Sequence, residues 1–159
     1  MAKVYGSLVG APVQTQLQTG FGLISDRFKD GKDQVLWRDL ATMQGNVIGD
    51  QISLGVLKST AYIDQGNSYL WWTAFGAGVT MNIGDVNHPA ALAAALNIAA
   101  LGTHDFEVLW QPSWIGQPLW QHLGYAGDPG GNIELLGTLA GANPANGAQL
   151  AWQIHGRNT

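Results

Sequence analysis

Four short runs in this chain alternate apolar and polar residues with period two, and that spacing constrains its fold more than any other feature. Val13, Thr15 and Leu17 alternate with Gln14, Gln16 and Gln18, and Ile52, Leu54 and Val56 alternate with Gln51, Ser53 and Gly55. Phe106, Val108 and Trp110 alternate with Asp105 and Glu107, and Leu150, Trp152 and Ile154 alternate with Gln149, Gln153 and His155. Successive side chains of a strand point to opposite faces, so each run has one dry face and one wetter face, the pattern of antiparallel sheets. Residues Tyr69–Phe75 are apolar on both sides. That run reads as a central strand covered on two faces, or as a strand with one side turned to a partner.

Turn chemistry separates the runs. Asp30-Gly31 favours a primed hairpin turn, and Gln65-Gly66-Asn67, Gly127–Gly131 and Ala142–Gly147 read as loops. The chain has 159 residues, enough for one domain with a hydrophobic core. The expectation is a mainly β, single-domain antiparallel barrel or sandwich of about 7–9 strands over residues 1–159. Gly6–Pro12 weakly echoes Gly137–Pro144, which we read as coincidence in a Gly- and Ala-rich chain.

One segment departs from the pattern. Asn87-His88-Pro89 leads into Ala90–Leu101, a run of Ala and Leu broken only by Asn97 and Ile98, and Gly102 follows. Ala and Leu are the strongest helix formers, Pro suits the first helical position and Gly the C-terminal stop. The spacing predicts one short, buried Ala/Leu helix over residues 89–101, wrapped by sheet or by a neighbouring subunit because it has no polar stripe.

Charge is scarce and uneven. Charged residues make up 11% of the chain against 46% hydrophobic, whereas soluble domains carry roughly 25% charge. Six of the seven cations lie at or before Lys58, and the next is Arg157. Between them stand six acids: Asp64, Asp85, Asp105, Glu107, Asp128 and Glu134. A nucleic-acid surface needs several cations on one face, so nucleic acid is not an expected partner, and an anionic membrane fails on the same count. No run reaches the roughly 18 apolar residues of a spanning helix. The absence of Cys excludes a disulfide scaffold, a zinc–cysteine site and a thiol enzyme. The start Met-Ala-Lys-Val-Tyr carries no signal-peptide pattern. The expectation is synthesis in the cytoplasm, with the final location, virion or extracellular after lysis or export, left open.

The residue types that could hold a ligand are tryptophans. Val108-Leu-Trp-Gln111 and Pro118-Leu-Trp-Gln121 flank Trp114, which sits in a loop with two prolines. Aromatic walls beside a few polar groups are what small-ligand sites use. Trp110, Trp114 and Trp120, with Gln111 and Gln121, are therefore the candidate ligand-binding residues. Of the four histidines, His104 lies beside Asp105 and Glu107, but on a strand these alternate between faces. No metal-ligand spacing, phosphate loop or nucleophile motif is present, so no catalytic residue, metal or cofactor is expected.

A lone globule needs surface charge to stay apart from its copies. Where charge is this scarce and apolar content is not reduced, covered surface in an assembly is the direct explanation, because obligate interfaces are apolar and charge-poor. The first expectation is a non-enzymatic structural subunit that self-associates into a homo-oligomer, such as a virion capsid, decoration or tail component or a similar shell or tube protein. The second is a carbohydrate- or surface-binding module, lectin-like or a small cytolysin component, acting through the tryptophans on glycans or on another assembly protein. The third is a small enzyme using His104 or His122 as a general base.

Overall fold

A computed structural model describes residues 3–4, 34–105 and 116–157. Two sheets form. One has the order β1 (Lys3–Val4), β3 (Gln51–Lys58), β9 (Asn132–Ala140), β6 (Thr80–Gly84), β7 (Ala93–Asn97). The other has the order β2 (Gln34–Thr42), β10 (Gln149–Arg157), β5 (Tyr69–Trp72), β8 (Gly102–Asp105), with β4 (Tyr62–Ile63) paired onto the end of β10. Among the described residues all pairings are antiparallel except β1 with β3. This is the expected antiparallel sandwich.

The alternating runs explain the packing. On β10, Leu150, Trp152 and Ile154 are all buried, while Gln149, Gln153 and His155 lie on the other face. Ile52 and Leu54 of β3 face the core as the period demands, but Val56 does not continue the series. A register shift between Ser53 and Gly55 turns the strand, and Leu57 takes the buried place. Such a bulge flips the phase of every later side chain. The Val13–Leu17 run, the Asp30-Gly31 turn, Gly6–Pro12 and the Phe106–Trp110 run lie outside the described residues.

The sheets meet over tryptophans. Trp37 of β2 packs against the core and donates its indole N–H to the Val56 carbonyl of β3 at 2.8 Å. A Cβ on Gly55 would stand 2.5 Å from the Trp37 ring, and Gly55 holds φ +148°. Only glycine accepts both that conformation and that contact.

The helix expected over 89–101 does not form. Ala93–Asn97 is a strand, paired antiparallel with β6 in the register Ile83–Ala93, Met81–Leu96 and Thr80–Asn97. Beyond it, Ile98 donates to the Val79 carbonyl at 3.3 Å and accepts from Phe75 at 3.2 Å. Two local features pre-empt the helix start. Asp85 accepts from the His88 amide at 2.6 Å, so the residues expected to cap a helix instead close a turn. Gly84 lets the His88 carbonyl lie against the strand, where any Cβ would collide with it. Helix propensity contributes only tenths of a kcal/mol per residue, so tertiary pairing overrides it. An edge ribbon also needs burial on one side only: Leu92, Ala93 and Ile98 are buried while Ala94, Ala95 and Asn97 stay exposed. The one α-helix among the described residues is α1, Leu119–His122.

Replacing Gly84 by Ala drives a methyl group into a backbone carbonyl that cannot swing away. The expected cost is about 1–3 kcal/mol, the range for overpacking, measured by urea unfolding at unchanged m-value.

Candidate interaction surfaces

Two regions of the described surface combine shape with chemistry. The first is a cavity of about 330 Å³ on the outer side of the β1-β3-β9-β6-β7 sheet, lined by Asp85, Asn87, Tyr125, Asn132, Glu134 and Leu136 among others. Asp85 follows β6 directly and is buried. Its carboxylate accepts from the Tyr125 hydroxyl and from the His88 amide. Asn87 donates to the Tyr125 oxygen at 2.8 Å, and the His88 ring meets the Tyr125 ring edge-on with centroids 4.4 Å apart. Glu134 accepts from the Ser53 hydroxyl at 2.8 Å. Burial, and then the adjacent Asp85 carboxylate, push the Tyr125 hydroxyl above its ordinary pKa, against the opposing effect of Asn87. Tyr125 therefore keeps its proton and stays a donor. The cluster ties the turn after β6 to the segment after α1.

The second region is the outer face of the β2-β10-β5-β8 sheet. The register aligns Leu40, Ala151, Trp71 and Thr103 in one row across the four strands. Trp71 is 41% exposed, and Leu101, just before β8, is 79% exposed. Leu40, Trp71, Leu101 and Ala151 border a shallow depression of about 230 Å³. Tyr69 lies beside Trp71 with ring centroids 5.4 Å apart and limits the indole's freedom. Apolar side chains that share one solvent-facing sheet surface are the usual mark of an interaction site.

The expected ligand-binding residues are only partly placed. Trp120, in α1, is half-buried against the core, with its backbone amide donating to Ser59 at 3.0 Å, and Gln121 is exposed. Trp110, Gln111 and Trp114 lie outside the described residues. Trp37, Trp72 and Trp152 fill the core. Trp71 is not among the candidates; the two-sided apolar pattern of Tyr69–Phe75 fits a strand covered on both faces as well as one with a side turned to a partner.

The histidines divide by environment. His122 is buried with Nε2 2.8 Å from the Gln117 carbonyl; burial holds its pKa below 6.5, against that hydrogen bond. His104 sits edge-on to Trp72 at 6.3 Å. His155 Nδ1 lies 3.0 Å from Asp64. Burial raises the Asp64 pKa, but hydrogen bonds from Asn67 and His155 outweigh it and leave it below 3.8. Among the described residues no group of three or more His, Asp or Glu is arranged to hold a metal. No described helix is long and apolar enough to cross a membrane.

Two measurements check these environments. Tyr125→Phe removes a hydroxyl donor from the buried Asp85 carboxylate and is expected to cost about 1–3 kcal/mol of stability. For His122, the unfolded chain binds a proton at about pH 6.5 and the folded chain only at lower pH. Stability is full above 6.5 and declines as pH falls below it. Urea unfolding across pH 7 to 5 should show that decline, and His122→Asn should flatten it.

No protein-family model matches this chain, and no curated protein matches it. Solved structures do. A chain of the capsid of Ralstonia phage GP4 is 20% identical and superposes with a TM-score of 0.55, over 80% of this chain and 85% of that one. A chain of the cyanophage Pam1 capsid asymmetric unit is 13% identical, with a TM-score of 0.54 over 86% of this chain and 93% of that one. This chain therefore shares its β-sandwich fold with chains of two phage capsids.

Proposed function

We propose that this chain is a non-enzymatic structural subunit of a virion, acting as one β-rich domain that associates with copies of itself in a capsid, as a shell or decoration component. The observation that carries this reading is the fold shared with two phage capsid chains along most of their length. Fold alone never fixes function, but two independent features agree with it. The chain carries little charge for its apolar content, and the outer face of one sheet displays Trp71 and Leu101 to solvent. Both fit a molecule whose surface is covered in its working state.

Light scattering behind size exclusion, followed by negative-stain electron microscopy, tests the reading. The expected result is a concentration-dependent mass above 16.9 kDa and regular particles, rings or sheets under crowding salts. A monodisperse monomer at every accessible concentration, with no regular particle on the grid, overturns it.

A further inference from the structure

We propose that the outer face of the β2-β10-β5-β8 sheet is an isologous interface. In it two copies pack these faces together about a twofold axis that runs parallel to the strands, between β10 and β5. This rests on the self-association reading above and names the surface that performs it.

The register carries the argument. A twofold axis in that position exchanges β10 with β5 and β2 with β8 between copies. In the row Leu40, Ala151, Trp71, Thr103, it therefore sets Trp71 of one copy over Ala151 of the other, and Ala151 over Trp71. The largest side chain of the row meets the smallest, at the depression of about 230 Å³ that they border. An isologous interface requires knob and hollow on the same patch. They are neighbours here on adjacent strands.

Face-to-face sheets pack about 10 Å apart with nearly aligned strands, which suits an axis along them.

The area sets the strength. Four strands span about 19 Å, and nine residues about 30 Å, so each copy offers at most roughly 600 Å². Twice that sits at the small end of specific interfaces. The dimer is therefore reversible, and concentration governs it.

Sedimentation velocity of the full chain tests the proposal, with circular dichroism confirming that each variant folds. Trp71→Ala and Ala151→Trp change exposed or half-exposed positions, and each is expected to weaken the dimer at least tenfold. Wild-type association in Trp71→Ala and Ala151→Trp overturns this interface. If regular particles still form in that case, self-association stands by another surface. A wild-type chain that stays monomeric overturns both.

Discussion

The sandwich depends on indole rings laid over glycines. Trp37 occupies the space a Gly55 side chain would need and donates its N–H to the Val56 carbonyl on the opposite sheet. Trp72 repeats the device: a Cβ on Gly102 would stand 2.7 Å from its ring, and its N–H reaches the Ala100 carbonyl at 2.8 Å. A buried indole offers a large apolar body but carries one donor that must be satisfied. Glycine lets the ring approach the backbone closely enough to make that bond. Close packing and polar satisfaction are achieved together in both places: Trp37 with Gly55 links strands of the two sheets, and Trp72 with Gly102 links neighbouring strands of one sheet.

Around that core, short polar contacts decide where the chain turns. Asp85 ends β6 and gathers the His88 amide and the Tyr125 hydroxyl, so one buried carboxylate holds two loops distant in sequence. A charge taken out of water is tolerated only when donors surround it. The chain has few charges, and this one is spent on geometry. Asp50 acts similarly at a smaller scale, accepting from the Asn46 side chain and the Val47 amide to shape the turn before β3.

The scarcity of charge and the bare sheet face express one economy. Residues 59–156 contain no Lys or Arg, and most of three of the four strands of the outer face come from that stretch. That face has an apolar row with Arg38 at one corner. Such a surface gives copies little mutual repulsion and leaves apolar area to be covered.

The sequence alone determined the class of fold, because the period-two runs at β10 and the start of β3 admit only strands with one buried side. It also determined that charge would be sparse, at 11% of the chain. It did not determine the structure of residues 89–101, where local propensity favoured helix while pairing with β6 and the Asp85 turn favoured strand. Nor did it reveal the phase flip after Ser53, since a bulge depends on what the strand meets across the sheet. Which tryptophans would be covered was likewise undecided: Trp71 and Trp72 are adjacent in the chain, and only the sheet's position sends Trp72 inward and leaves Trp71 in solvent. Local sequence sets the alternation of faces; which face is buried is a property of the packed whole.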